Sequence, residues 1–239
     1  MEVEGIVIRV TSYKEKDAIV NVLTSKGIIS FLASGVLNIH SKNNASVTLY
    51  SRSKFELNEK NNKAYSLKTG QLISSMSDVY DNLNAMTALG IITELSEKCY
   101  DQEKCAETYQ LVLNIFENIK NKSVSIDSLL LYYLAYSIRN SGISISLNGC
   151  IHCGDRKQIV TVDYENGGLV CKKCFDKTMK IYSRDYLLTL IKIFSTDLNS
   201  NLDDLPSSSS SDLLDDLFEY LYNLVGIKIK SYDLYKRIR

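Results

Sequence analysis

Two pairs of cysteines constrain the fold of this chain more than any other feature. The first pair is Cys150 and Cys153, and the second, after a gap of seventeen residues, is Cys171 and Cys174. Each Cys-x2-Cys pair can present two thiolates from one tight turn, and four thiolates suit the tetrahedral coordination of Zn²⁺. Four protein ligands leave no open coordination position, so the pattern predicts a structural zinc site and not a catalytic one.

The gap between the pairs has the pattern of a short hairpin. Residues 159–164 read as one strand, Gly167-Gly168 as the turn, and Leu169-Val170 as the return to the second pair. Lys172 and Lys173 lie between the second pair and favour thiolate over thiol. Two other interpretations are weaker: a pair of dithiols whose metal site has decayed, and a catalytic redox pair. No βαβ pattern supports the redox pair.

Charge and apolar content indicate a chain of several packed units and argue against a secreted or membrane protein. With 239 residues and 45% hydrophobic content, the chain should form two or three packed units. The net charge is zero, but residues 1–76 carry ten Lys or Arg against six Asp or Glu, and residues 150–184 seven against four. The basic surplus therefore lies at the front of the chain and around the cysteines. We find no pattern of a signal peptide or membrane span, and the use of cysteine predicts a reducing cytoplasm.

The first part of the chain has the pattern of β-structure. Apolar runs at residues 5–10, 18–23 and 28–32 are followed by period-two alternation over residues 47–57 and by a fifth strand from Tyr65. Five short strands in about seventy residues predict a small closed or nearly closed barrel. Tyr50, Arg52 and Lys54 share one face of the fourth strand. This face is either the solvent-exposed side of an antiparallel strand or a nucleic-acid surface, on which bases stack on the tyrosine and the cations lie along the phosphates.

From Ser77 onward the apolar period becomes helical. Three helices are predicted before the cysteines, the third ending at Asn140-Ser141-Gly142, and together they imply a bundle. Two more follow the cysteines, over residues 184–197 and from Leu213 to Gly226, separated by a loop at Pro206 and serines 207–211. We interpret the acidic run over residues 94–107 as a solvated face: Glu94, Glu97, Asp101, Glu103 and Glu107. The predicted segments are a barrel over 1–76, a helical bundle over 77–149, a knuckle over 150–180 and completing helices over 181–239.

An enzyme is poorly supported. The sequence has no glycine-rich phosphate loop, no His-Glu metal motif, and only two histidines, His40 and His152. We interpret the acid pairs Asp203-Asp204 and Asp215-Asp216 as solvated charges.

In order and spacing, these parts resemble the RecO family of bacterial recombination mediator proteins over nearly the whole chain. The resemblance rests on four stretches, which are residues 5–27 with Glu15-Lys16-Asp17-Ala18, Gly149 to Gly154, Gly167 to Cys174, and Val225 to Ser231. It implies an α+β multi-domain fold with an amino-terminal oligonucleotide-binding (OB-fold) β-barrel and an all-α helical domain that contains an inserted four-cysteine zinc knuckle. It further implies a non-enzymatic protein that binds single- and double-stranded DNA and anneals complementary strands. Such a protein works with RecR, and in some settings RecF, to help RecA replace single-strand-binding protein (SSB), whose carboxyl-terminal tail it contacts.

This chain departs from the family in the loop after the third strand. Relatives carry a basic cluster there, whereas residues 33–40 contain no Lys or Arg. The remaining candidates for DNA contact are Arg9, Lys14, Lys16, Lys42, Tyr50, Arg52 and Lys54, with a second patch of Arg156, Lys157, Lys172 and Lys173. Our leading hypothesis is a DNA-binding mediator. The alternative is an adaptor that docks RecR and the SSB tail and has little DNA affinity of its own.

Overall fold

The computed structural model describes residues 1–60, 64–196 and 211–239. Asn61 and Asn62 of the predicted turn, the acid pair Asp203-Asp204 and the loop from Pro206 to serine 210 lie outside the described residues. The chain divides into two compact units, which we call the first unit (Met1–Lys122 with Lys230–Arg239) and the second unit (Ser123–Ile229). These two units are defined by packing, whereas the four predicted segments were defined by sequence pattern. The segment boundaries at 76, 149 and 180 therefore stay predictions.

The first unit contains a closed five-stranded barrel. Its strands are β1 (Glu2–Tyr13), β2 (Asp17–Thr24), β3 (Gly27–Ala33), β4 (Arg52–Lys60) and β5 (Ala64–Ser74). They pair in the order β1-β2-β3-β5-β4, and β4 returns to pair with β1. Alternate side chains fill the interior, where the rings of Phe31 and Phe55 lie 5.1 Å apart. The predicted barrel is therefore confirmed.

The segment before β4 differs from the predicted strand over residues 47–57. Ala45–Val47 forms a turn of 3₁₀-helix, the Ser51 hydroxyl donates to the Ser46 carbonyl at 3.1 Å, and β4 begins only at Arg52. Tyr50 adopts a left-handed φ of 66° in this turn and is 8% exposed. Its ring packs edge-on against Phe116 at 6.2 Å. The turn, which breaks the period-two alternation, directs Tyr50 inward, so its predicted exposure is corrected.

Three helices complete the first unit: α1 (Leu83–Lys98), α2 (Cys105–Asn121) and α6 (Lys230–Ile238). The sequence pattern ended the last helix at Gly226 and missed α6, which packs along α1. The Glu94 carboxylate on α1 accepts hydrogen bonds from the Lys230 and Ser231 backbone N–H groups at 3.0 and 2.9 Å. Glu94 therefore caps the start of α6, and its prediction as a solvated charge is wrong.

The second unit contains a helical part and a two-stranded hairpin. Its elements are α3 (Ile126–Asn140), β6 (Ile159–Asp163), β7 (Gly168–Cys171), α4 (Arg184–Ser195) and α5 (Ser211–Val225). The predicted end of α3 is confirmed, with Gly142 at a left-handed φ of 75° beyond it. The three helices predicted as one bundle are divided between the units. Among the described residues, no helix is both long enough and apolar enough to cross a bilayer.

Candidate metal centre and nucleic-acid surface

Two tight turns and the β6–β7 hairpin position the four cysteines. In the first turn the Gly154 N–H donates to the Cys150 carbonyl at 2.8 Å, and in the second the Cys174 N–H donates to the Cys171 carbonyl at 3.0 Å. The hairpin places Ile159 opposite Cys171, and the Ile151 N–H donates to the Leu169 carbonyl at 2.9 Å. The predicted hairpin is confirmed, and it brings the second cysteine pair beside the first.

The four sulfur atoms form one compact cluster. They lie within 4.8 Å of one another, and the Sγ atoms of Cys153 and Cys171 are 3.6 Å apart. A tetrahedral zinc ion with Zn–S bonds of about 2.3 Å requires sulfur separations of about 3.8 Å, whereas a disulfide requires about 2.0 Å. The four cysteines are free thiols and could hold a metal ion in this arrangement.

The environment of the cluster favours ionisation of one buried thiol. Burial opposes the thiolate of Cys150, but the backbone N–H groups of Cys171, His152 and Cys153 outweigh it and lower the pKa of Cys150 to about 6. In the absence of a cation, neighbouring sulfurs disfavour a second negative charge. They raise the pKa of Cys174 to about 12, and the Cys153 sulfur contributes most to this increase. A divalent cation would remove this repulsion, so the donor set fits a thiolate-bound metal.

A network of tyrosines ties the hairpin to the helices of the second unit. The hydroxyls of Tyr164 and Tyr186 lie 2.6 Å apart, and Tyr186 donates to the Asp216 carboxylate at 2.6 Å. The Tyr182 ring stacks on Tyr186 at 4.1 Å, and Lys180 lies 3.6 Å from the same carboxylate. Asp216, predicted as a solvated charge, is thus an acceptor within this network, and that prediction is corrected. Burial raises the pKa of Tyr164 and of Tyr186, which keeps both hydroxyls protonated as donors.

The predicted cations of the knuckle are exposed. Arg156, Lys157, Lys172 and Lys173 all lie on the surface of the second unit. The Lys173 ammonium lies 3.7 Å from the Asp155 carboxylate, with 77% of its side chain exposed, so this ion pair is loose and solvated.

On the barrel, the two predicted arginines are engaged by carboxylates. Arg9 forms an ion pair with Glu97 of α1, whose other oxygen accepts from Asn21 at 3.4 Å. The predicted solvated role of Glu97 is therefore wrong. The Arg52 Nε donates to Glu4 at 2.8 Å, and the Tyr109 hydroxyl donates to the same oxygen at 3.3 Å. A phosphate would have to compete with these carboxylates for either arginine.

The four predicted lysines of the barrel are exposed, but their surroundings differ. Lys14 and Lys16 lie in the turn between β1 and β2, and Lys42 lies in the loop after β3. Lys54 lines a groove of about 430 Å³ whose other lining residues include Glu2, Glu4 and Glu56. That acidic groove makes Lys54 a weaker site for a phosphate than the two loops. Tyr50, being buried, offers no ring face to a base.

A set of cations lies on and beside α6, a helix that the sequence pattern did not reveal. Lys230, Lys236 and Arg237 are exposed on this helix and Arg239 directly after it, against one acid, Asp233. The buried Tyr232 and Tyr235, with the half-buried Ile238 three residues further on, are the signal that could have revealed this helix.

Two family models and several named proteins match this chain over most of its length. The family model described as "Recombination protein O N terminal" matches residues 1–76, and "Recombination protein O C terminal" matches residues 80–233. A protein named DNA repair protein RecO from Mesoplasma florum is 27% identical over 95% of this chain and 87% of its own length. The protein of that name from Mycoplasma mycoides subsp. mycoides is 25% identical over 93% of this chain and 92% of its own length.

Proposed function

The chain belongs to the RecO family of DNA repair proteins, and from this premise we propose that it is a non-enzymatic recombination mediator. It binds single- and double-stranded DNA and anneals complementary strands. With RecR, and in some settings RecF, it helps load RecA onto SSB-coated DNA in the cytoplasm, close to the nucleoid. The SSB carboxyl-terminal tail is its further partner.

The observation that carries this proposal is the closed barrel with exposed lysines in two adjoining loops. Lys14 and Lys16 lie in the β1–β2 turn, whose Lys16 carbonyl accepts from the Leu37 N–H of the loop after β3 at 3.0 Å. Lys42 extends the same loop. Lysines in flexible side-chain conformations contact phosphates without reading bases, which suits a protein that acts on strands of any sequence.

The proposed metal is a structural zinc ion held by Cys150, Cys153, Cys171 and Cys174. When bound, it would supply folding energy to the knuckle and no reaction chemistry, because four thiolates fill its coordination sphere. The cysteines' own turns and hairpin hold the sulfurs in place, and the knuckle in turn presents Arg156, Lys157 and Lys172 to solvent.

The adaptor hypothesis is supported by the engaged arginines. With Arg9 and Arg52 paired to carboxylates and Lys54 in an acidic groove, the barrel offers fewer cations to DNA than its sequence suggests. An adaptor would retain RecR and the SSB tail on its helical surfaces while releasing DNA.

Retention on immobilised single-stranded DNA, with and without a cognate RecR protein, separates the two. We expect the purified chain to be retained without RecR, and Lys16→Ala to weaken retention about threefold because one phosphate contact is lost. Lys192→Ala, an exposed lysine on α4, is the matched control. Capture of RecR with no retention on DNA would instead establish the adaptor.

A further inference from the structure

The loop after β3 holds two exposed apolar side chains. In this segment, which we call the 34–44 loop (residues 34–44), Leu37 is 39% exposed and Ile39 is 82% exposed. The Ile39 side chain is thus almost fully in water, in a surface loop that could carry a polar residue at this position. Val36, next to Leu37, is fully buried in the core of the barrel and anchors the loop there.

The 34–44 loop is built as a fixed support. The Gly35 N–H donates to the Asp17 carboxylate at 2.7 Å, and the Leu37 N–H donates to the Lys16 carbonyl at 3.0 Å. Further along, the Asn44 side chain donates to the Val36 carbonyl at 3.0 Å, and the His40 N–H to the Asn38 side chain at 3.0 Å. A ligand that contacts Leu37 and Ile39 therefore meets a pre-ordered surface, which reduces the entropy lost on binding.

The charges beside these two side chains are mainly positive. Lys16 is hydrogen-bonded to Leu37 through its backbone, Lys14 belongs to the same turn, and Lys42 lies three residues beyond Ile39. The neighbouring acids are Glu15, which is exposed, and Asp17, whose carboxylate is engaged by the loop backbone. Apolar side chains bordered by cations match the alternation of base and phosphate along an unpaired strand.

From this arrangement we propose that Leu37 and Ile39 form an apolar wedge that contacts the bases of unpaired DNA while Lys14, Lys16 and Lys42 hold its phosphates. This inference rests on the proposed function and assigns the ligand contacts of the barrel. Unpaired bases expose apolar faces at little cost, whereas a duplex must first unstack, at a few kcal/mol per step, to admit Leu or Ile. The wedge therefore favours single strands over duplexes.

The test compares the double variant Leu37→Ser/Ile39→Ser with the wild-type chain, using an unstructured oligonucleotide that carries 2-aminopurine. We expect single-strand affinity to fall about tenfold, because two apolar side chains lose their contact with bases. The slope of log K against log salt should not change, because the lysines remain. The fluorescence change of 2-aminopurine on binding should be lost, and duplex affinity should change less than about twofold. Leu188→Ser, which removes a 51% exposed leucine from α4, is the control and should bind like wild type.

Each of the following results would overturn the wedge. Unchanged single-strand affinity in the double variant, with wild-type binding intact, would refute the wedge and leave the proposed function standing. The wedge would also be refuted if the double variant lost capture of RecR while its single-strand affinity stayed at the wild-type value. Absence of DNA binding by the wild-type chain would refute the proposed function together with the wedge. The double variant should unfold at the wild-type temperature, because both side chains are exposed. That result excludes misfolding as the cause of a lower affinity.

Discussion

Replacing Cys171 by serine is expected to remove the bound metal and to unfold the knuckle of the second unit. Cys171 is 1% exposed and belongs both to the sulfur cluster and to strand β7. Structural zinc sites contribute about 10–16 kcal/mol in small metal-binding peptides, and a hydroxyl is a poor substitute for a thiolate ligand. We therefore expect a loss above about 3 kcal/mol, which is a large part of the roughly 5–15 kcal/mol that typically holds a domain folded.

Native mass spectrometry and thermal unfolding measure this prediction. The wild-type chain should carry one zinc ion and the Cys171→Ser variant none, with a lower transition temperature for the variant. Cys99→Ser is the matched control, because Cys99 lies on the first unit, outside the cluster. A wild-type chain that holds no metal when purified under reducing conditions, or a variant as stable as wild type, would contradict the zinc assignment.

The second large effect concerns Glu94 and the pH dependence of stability. The carboxylate of Glu94 also accepts from the Ser231 hydroxyl at 2.7 Å and lies 2.8 Å from the Lys98 ammonium. Burial alone would raise the pKa of Glu94, but Lys98 and the start of α6 together lower it from 4.5 to about 2. Because the folded pKa lies below the unfolded one, this stabilisation is complete above the unfolded pKa of 4.5 and is lost as the pH falls toward 2.

Glu94→Gln should therefore reduce the free energy of unfolding by up to roughly 3 kcal/mol at about pH 7 and by progressively less as the pH falls toward about 2. Urea unfolding of both proteins at neutral pH and near pH 3 measures this difference. Glu107→Gln, an exposed carboxylate on α2, should have little effect at either pH. An equal loss at both pH values would show that Glu94 acts by packing alone and not by its charge.

Local patterns predicted the strands of the barrel and the turns of the knuckle, because each of these elements is set by residues close in sequence. The apolar runs of β1 to β3 and the Cys-x2-Cys spacing each indicate local geometry within a few residues. The hairpin between the cysteine pairs was predictable for the same reason, with Gly167 at a left-handed φ of 68° as its turn.

Features that depend on distant residues could not be predicted in this way. The cap of α6 is supplied by Glu94, which precedes Ser231 by 137 residues, and no short pattern reveals such a partner. Tyr50 keeps the alternation of a strand in sequence, yet the turn from Ser46 to Ser51 directs it into the protein. The pairing of Arg52 with Glu4 likewise follows only from the packed barrel, and that of Arg9 with Glu97 only from the packing of α1 on it.

The salt dependence of single-stranded DNA binding tests the central claim most directly. If Lys14, Lys16, Lys42 and the knuckle cations contact phosphates, log K should fall linearly with log salt, by about 0.7 for each phosphate contact. We predict a slope of about −3 or steeper and affinity at least in the micromolar range at low salt. Affinity that does not change with salt, or no measurable binding at low salt, would contradict a barrel that holds DNA strands through their phosphates.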